Sequence, residues 1–144
     1  VETAEERVEH LIALRELQDE TGGFQCLIPL AFHPDNTALD HLPPTGGRLD
    51  LQTLAVSRLV LDNVPHLKAY WIMLGEKIAQ VALHFGANDL DGTIFDDRLT
   101  HAAGGTAGTS MTRRKLERLI TEAGRTPVLR DTLYRPIQET PVVA

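Results

Sequence analysis

Residues 24–37 read F-Q-C-L-I-P-L-A-F-H-P-D-N-T, and the change of character within them decides how the rest of the chain is interpreted. The residues from Phe24 to Phe32 are nearly all apolar or small, and the run is too short and too uniform for an amphipathic helix. It predicts a buried β-strand. Because Pro29 cannot donate a ladder hydrogen bond, a bulge or local break is expected there. Side chains that can bind, donate or titrate follow at once: His33, Asp35 and Asn36.

The sequence predicts a helix on the amino-terminal side of this strand. Thr3 and Glu6 have the spacing of a capping box, in which the side chain of each residue accepts a hydrogen bond from the backbone amide of the other. Gly22 and Gly23 supply a left-handed stop. The residues predicted to face the core of the protein are Val8, Leu11, Ile12, Leu14 and Leu17.

Further helices are predicted downstream from their start and stop signals. Asp50 is the predicted N-cap of the second helix, and Pro65 ends it. Gly75 and Gly86 bound a short third helix, and Thr112 caps a last one. The residues predicted to face inward are Leu51, Leu54, Ala55, Leu59 and Val60, then Ile78, Val81, Ala82 and Phe85, and finally Leu116, Leu119 and Ile120.

Other segments are predicted to be strands. Residues 66–74, H-L-K-A-Y-W-I-M-L, are rich in the aromatic and apolar side chains that favour strands. Residues 88–95, N-D-L-D-G-T-I-F, predict a weaker strand or a strand and turn, because Asp91 and Gly92 disfavour extended pairing. Residues 127–134 predict a short terminal strand.

Helices and strands therefore alternate, which is typical of repeated parallel βα units in an α/β protein. A complete eight-unit barrel needs about 250 residues, whereas this chain has 144. The pattern leaves two alternatives open: a small open α/β sheet, or a piece of a barrel. In both, ligands bind at the carboxyl ends of the strands.

The composition restricts the class of protein and its partners. With 20 acidic against 14 basic residues the net charge is -6, so a nucleic-acid partner is not expected. There is no apolar run of the roughly 20 residues that a membrane helix needs, and we expect a soluble, cytoplasmic protein. The single cysteine, Cys26, excludes an internal disulfide and cannot by itself hold zinc or an iron-sulfur cluster.

The strand ends supply the candidate ligand-binding residues: His33 and Asn36, Tyr70, and Asn88 with Asp89. Each has a structural alternative that the sequence leaves open. These are loop capping for His33, an Asx turn for Asn36, core packing for Tyr70 and an ordinary turn for Asn88 and Asp89.

Four blocks of sequence, in this order, resemble the carboxyl-terminal half of the aminofutalosine synthase family of radical S-adenosylmethionine enzymes. They are G-G-F-Q-C-L-I-P-L-A-F-H-P-D-N-T (22–37), D-L-Q-T-L-A-V-S-R-L-V-L-D-N-V-P-H-L-K-A-Y-W-I-M-L-G (50–75), A-Q-V-A-L-H-F-G-A-N-D-L-D-G-T (79–93) and L-I-T-E-A-G-R-T-P-V-L-R-D-T-L-Y (119–134). The dehypoxanthine futalosine cyclases and the deazaflavin cofactor synthases share the general layout and are the alternatives within this group.

The resemblance implies a fold and its cofactors. Residues 1–135 would form the carboxyl-terminal half of a TIM-like (β/α)8 radical SAM barrel, and residues 136–144 a loose tail. The complete enzyme would use S-adenosylmethionine and a [4Fe-4S] cluster held by a CxxxCxxC loop that this chain lacks. The chain alone is therefore expected to be inactive and, with open strand edges, to self-associate.

The resemblance also implies a reaction of a small-molecule substrate. The complete enzyme would add the 5'-deoxyadenosyl radical to 3-[(1-carboxyvinyl)oxy]benzoate, giving aminofutalosine for menaquinone biosynthesis. By position, His33 and Asn36 would hold the substrate carboxylate, Tyr70 the aromatic ring, and Asn88 and Asp89 hydroxyl groups. Glu2, placed like the Glu of the family's G-H-V-E-T element, would face S-adenosylmethionine. The rival interpretation is a non-catalytic α/β binding module.

Overall fold

A computed structural model of the chain describes residues 2–93 and 110–138. Their elements, in chain order, are α1 (Ala4–Thr21), β1 (Cys26–Leu27), α2 (Gly47–Val60), β2 (His66–Leu67), α3 (Trp71–Leu74), α4 (Glu76–Ala82) and α5 (Arg113–Glu122). Among these helices, none combines the length and the apolar character that crossing a bilayer requires.

The strands lie parallel and adjacent, in chain order. Cys26 lies opposite His66 in the register of β1 and β2. A third segment joins β2 through a parallel bridge between Lys68 and Asp89, where the amide of Ala69 donates to the carbonyl of Asp89 at 2.8 Å. The sequence prediction of parallel βα units is therefore confirmed for the described residues.

The strands are shorter than predicted. β1 ends at Leu27, before the break expected at Pro29. The second predicted strand, residues 66–74, is wrong in its second half, where Trp71–Leu74 forms α3. Trp71 is fully buried and its Nε1 donates to the carbonyl of Gly92 at 3.1 Å, so tertiary packing fixes this segment. The third strand is reduced to the bridge at Asp89, and residues 94–95 of that prediction lie outside the described residues.

Both ends of α1 and the start of α5 follow from the local sequence. The capping box is confirmed: the Glu6 amide donates to Thr3 Oγ1 at 3.1 Å, and the Thr3 amide donates to Glu6 Oε2 at 2.8 Å. Gly22 ends α1 with φ of 60°, and Thr112 caps α5.

The predicted ends of α2 are wrong. Its N-cap is Gly46, which makes no side-chain bond, and Asp50 lies within the first turn. A Cβ on Gly47 would lie 2.6 Å from Ile78 Cδ1, so close packing on α4 places the helix start at the glycine pair. The helix ends at Val60, well before Pro65.

The larger of the two hydrophobic clusters formed by the described residues joins helices α2–α5 to one face of the sheet, which we call the core face, and the smaller one packs Leu11 of α1 against Leu61 and Val64. Leu67, Ala69 and Leu90 pack on the core face with side chains from α2 to α5. Several predicted core residues are exposed instead because only a narrow stripe of each helix reaches this small sheet: Val8, Ile12, Leu17, Leu59, Val81 and Phe85. In α1 only Leu11 and Gln18 are buried.

The opposite face of the sheet is polar. Since successive side chains of a strand alternate between faces, Cys26, His66, Lys68 and Asp89 share this side, which we call the polar face. The predicted terminal strand, residues 127–134, is wrong: residues 129–137 form a short hairpin in which Arg130 and Pro136 make an antiparallel bridge. Residues 139–144 of the predicted tail lie outside the described residues.

Candidate functional site

A cavity of about 800 Å³ lies at the carboxyl end of β1. Its walls are α1, residues 27–33, one side of α2 from Leu49 to Ser57, and Tyr70, Met73 and Leu74, and most of its lining is apolar. Three residues predicted from the sequence line it: Glu2, His33 and Tyr70. The position agrees with the expectation that ligands bind where parallel strands end. We call it the β1 cavity.

His33 is held at the wall of the β1 cavity. Its Nε2 lies 3.0 Å from the carbonyl oxygen of Met73. Because a carbonyl can only accept, Nε2 carries the proton and donates, which leaves Nδ1 as the ring atom that a ligand could contact. The bond ties the segment after β1 to α3, so the imidazole orientation depends on two elements of the fold.

Asp50 lines the same cavity, although the sequence assigned it only to helix capping. The Phe32 amide donates to Thr45 Oγ1 at 3.1 Å, and the Thr45 hydroxyl bonds to the Asp50 carboxylate. Burial raises the pKa of Asp50 above its ordinary value, outweighing the Thr45 bond and the charges of His33 and Arg7, which lower it. A half-buried acid facing an imidazole can bind hydrogen-bond donors of a ligand.

The first turns of α1 contribute the remaining charges of the cavity. Arg7 Nε lies 3.6 Å from Glu2 Oε2, and Arg7 Nη2 donates to the Glu2 carbonyl at 3.3 Å. The pair places the Glu2 carboxylate at the cavity wall. Sequence analysis missed Arg7 and His10, and the only available signal was their position on the helix that follows Glu2.

Asn36, Asn88 and Asp89 do not line the β1 cavity. Asn36 is exposed in a turn with φ of 59°. The Asn88 side chain donates to the Pro65 carbonyl at 3.1 Å and accepts from the Leu67 amide at 2.9 Å, which joins the third segment to β2. The structure thus gathers Glu2, His33 and Tyr70 and places Asn88 and Asp89 elsewhere. The predicted binding roles of all six residues stay predictions.

Asp89 belongs to an ion-pair cluster on the polar face. Arg130 Nε lies 2.5 Å from Asp89 Oδ2, and Lys68 Nζ lies 3.1 Å from Asp91 Oδ1. Burial, the largest effect, would raise the pKa of Asp89, but bonds from Arg130 and the Asp91 amide, with the Arg130 and Lys68 charges, lower it overall. Each charge of this cluster therefore has a partner of opposite sign, which offsets the cost of burying Lys68 and Asp89.

A second cavity, of about 650 Å³, lies along residues 86–92. Ile120 of α5 and residues 125–130 form its other side. It adjoins the third parallel segment, whereas the β1 cavity adjoins β1. We call it the β3 cavity, because it borders the third predicted strand.

Comparison with known proteins gives consistent results. A family model described as "CofH/MqnC C-terminal region" matches residues 21–142. The aminodeoxyfutalosine synthase of Thermus thermophilus is 49% identical over 142 residues, which cover 96% of this chain and 38% of that protein. The aminodeoxyfutalosine synthase of Streptomyces coelicolor is 43% identical, covering 96% and 39%. The 5-amino-6-(D-ribitylamino)uracil--L-tyrosine 4-hydroxyphenyl transferase 2 of Methanosarcina barkeri is 46% identical, covering 100% and 39%.

Proposed function

The chain belongs to the CofH/MqnC C-terminal region family, and we propose that it forms the carboxyl-terminal half of a TIM-like (β/α)8 barrel in a radical S-adenosylmethionine enzyme. The resemblance of the sequence to aminodeoxyfutalosine synthases is confirmed by two relatives of that name. The chain spans 38 to 39% of the length of these relatives. The activity of the whole enzyme is therefore proposed for a longer protein that contains this part.

The parallel order of the segments carries the half-barrel proposal. Among the described residues, β1 pairs with β2 on one side, and the third segment pairs with β2 on the other. β1 and the third segment are therefore the outer segments of the described sheet, and the β1 cavity opens at the carboxyl end of β1. Three adjacent parallel segments with a cavity at their carboxyl end are what a sheet cut from a closed barrel would have.

The iron-sulfur cluster of such an enzyme does not fit this chain. A site-differentiated cluster on a CxxxCxxC loop needs cysteine thiolates, and the sequence has one cysteine. Within the ranges that the structure describes, no group of three or more His, Cys, Asp or Glu side chains could hold a metal ion. We therefore assign the cluster to the part of the enzyme that precedes this chain, and assign substrate binding to this one.

For the reaction, we favour addition of the 5'-deoxyadenosyl group of S-adenosylmethionine to 3-[(1-carboxyvinyl)oxy]benzoate, with consumption of one water molecule and release of methionine and bicarbonate. Radical chemistry depends on positioning and on shielding more than on acids and bases. His33 and Asn36 are proposed to bind the substrate carboxylate, Tyr70 its ring, and Asn88 and Asp89 hydroxyl groups. Glu2 is proposed to face S-adenosylmethionine.

A second candidate is supported by the Methanosarcina barkeri relative, which matches the whole chain at 46% identity. Its name describes transfer of a 4-hydroxyphenyl group from L-tyrosine to 5-amino-6-(D-ribitylamino)uracil. Tyrosine, like the benzoate substrate, carries a carboxylate and an aromatic ring. The same cavity groups would therefore suit it, so the assay must include both substrate sets.

A chimera tests the proposal. This chain replaces the matching 142 residues of the Thermus thermophilus aminodeoxyfutalosine synthase, and products are identified by mass spectrometry after incubation with S-adenosylmethionine, a reductant and each substrate set. We expect aminofutalosine from 3-[(1-carboxyvinyl)oxy]benzoate. A product from tyrosine alone would select the second candidate, and a folded chimera inactive with both sets would contradict both.

The same chimera tests His33. We expect His33→Ala to lower kcat/KM by about tenfold or more, since a lost hydrogen bond to a charged group costs about 1.5–3 kcal/mol. His41→Ala, on an exposed loop outside the β1 cavity, is the matched control. Equal kcat/KM values for the two variants would show that His33 is not part of the binding site.

A further inference from the structure

The C-terminal hairpin, residues 129–137, lies on the polar face and touches all three parallel segments. The Tyr134 ring stacks on His66, the first residue of β2, with centroids 4.0 Å apart and planes at 15°. Burial raises the pKa of Tyr134 and of Cys26, the first residue of β1, and a contact between these two side chains also affects both pKa values. Arg130 pairs with Asp89 of the third segment. The hairpin therefore covers the amino-terminal end of the polar face.

Arg130 is the centre of these contacts. Its guanidinium lies 4.0 Å from the centroid of the Tyr134 ring, and its Nε lies 2.5 Å from Asp89 Oδ2. Its Nη1 donates to the Asp131 carbonyl at 3.0 Å, which links it to the hairpin turn. One side chain thus joins the turn, the stacked ring and the sheet.

The hairpin is stabilised by hydrogen bonds between its own residues and contributes little to the apolar core. The Asp131 carboxylate accepts from the amides of Leu133 and Arg135 at 2.8 and 2.9 Å, and the Ile137 amide donates to the Leu129 carbonyl at 2.8 Å. Its large aliphatic side chains are exposed rather than buried: Leu129, Leu133 and Ile137. Polar and aromatic contacts, and not burial of aliphatic surface, therefore hold it on the sheet.

We propose that the C-terminal hairpin is a separately opening cover over the amino-terminal end of the polar face, held closed by Arg130 as its positioning residue. Local units with few buried apolar contacts open at a lower free energy than the core. The β1 cavity lies at the other end of the strands. Resting on the proposed function, the cover would close the end of the barrel away from the β1 cavity and shield the barrel interior from solvent.

Cys26 is the only cysteine of the chain, so its reaction with an uncharged thiol reagent reports opening of the cover. We expect Arg130→Gln to raise the second-order rate constant with N-ethylmaleimide about tenfold or more, and Arg130→Lys to raise it less. Arg135→Gln, exposed on the same hairpin, is the matched control and should leave the rate unchanged.

Electrostatics alone predicts the opposite result. Burial raises the pKa of the Cys26 thiol, and the charge of Arg130 is among the effects that lower it. Removing that charge alone would leave less thiolate and slow the reaction. An acceleration therefore reports access. An unchanged or slower reaction in Arg130→Gln would overturn the proposal.

Hydrogen exchange of the unmodified chain gives a test that depends on no variant. The Ile137 amide, inside the hairpin, should exchange by local opening much faster than the Ala69 amide, which bonds to the third segment. Equal protection of the two amides would show that the hairpin opens only with the whole fold. Both measurements use this chain alone, so their failure would leave the proposed enzyme function untouched.

Discussion

At the scale of the residue, Asp50 combines features that separate a binding group from a structural one. Its carboxylate lies in a mainly apolar cavity, opposite His33 and within the field of Arg7. Burial raises its pKa, so the folded protein is less stable when this acid is ionised. Groups that cost stability at a cavity are candidates for function.

Replacing Asp50 by Asn should therefore stabilise the chain at neutral pH. An acid with a raised folded pKa stabilises the fold below its unfolded pKa, here near 3.8, and this contribution is lost as the pH rises through the folded pKa. Because partial exposure screens the effect, we expect a gain of about 0.3–1 kcal/mol in the free energy of unfolding at pH 7. The gain should shrink towards pH 4.

Urea unfolding across this pH range measures the difference, with Asp40→Asn on an exposed loop as the control. A destabilised Asp50→Asn chain at pH 7 would show that the bond from Thr45 outweighs burial. In that case Asp50 would be a structural residue.

Residue positions could be predicted from the sequence where strand order alone determines them. His33 and Tyr70 line one cavity, as their positions after two parallel segments predict. The position of the Asn88 side chain could not be predicted. It bonds to the Leu67 amide and the Pro65 carbonyl, which belong to residues more than 20 positions away in the sequence.

At the scale of the element, the helix ends set by local caps were predictable, whereas the ends of α2 and of the strands were not. A cap such as Thr3 with Glu6 is satisfied within one turn, so the local sequence contains the whole interaction. The segment Trp71–Leu74 is apolar enough for a strand, but burial of Trp71 and its bond to Gly92 select a helix. Short apolar runs do not distinguish these outcomes.

Gly86 fixes the junction between α4 and the third segment. Its φ is 98°, and a Cβ there would lie 2.5 Å from Arg58 Cβ. Arg58 in turn donates from Nε to the Gly86 carbonyl at 2.9 Å and from Nη1 to the Val64 carbonyl at 3.1 Å. The absence of a side chain lets α2 approach this turn.

We expect Gly86→Ala to lower the free energy of unfolding by about 2 kcal/mol or more, since it combines a strained backbone with a steric clash. Gly92→Ala is the control, because no atom lies within 4 Å of its added Cβ and its φ is not positive. Chemical denaturation of both variants measures the difference. A Gly86→Ala chain as stable as Gly92→Ala would mean that Arg58 and the turn move apart at little cost.

At the scale of the whole molecule, the alternation of helices and strands was sufficient to predict parallel order. The same pattern could not predict which side chains lie next to the two outer edges of the sheet. Residues 28 and 30 beyond β1 and residues 8 and 12 of α1 are large, apolar and exposed. Surfaces of this kind next to an open strand edge favour association.

We propose that the chain by itself self-associates through these edges. Sedimentation velocity should show species larger than the 15.9 kDa monomer, in proportions that rise with concentration. Addition of the separately produced amino-terminal part of the Thermus thermophilus relative should replace them with a one-to-one complex. A well-folded, monodisperse monomer at all concentrations would contradict the half-barrel proposal.

The register of the sheet also bears on how the chain folds. Pairing Cys26 with His66 closes a loop of 40 residues, whereas pairing Lys68 with Asp89 closes one of 21. Loop-closure entropy grows with the logarithm of length, so the longer closure costs roughly 0.6 kcal/mol more. The turn region around α3 and α4 is therefore the less costly place for a folding nucleus, and β1 with α1 would add to it afterwards.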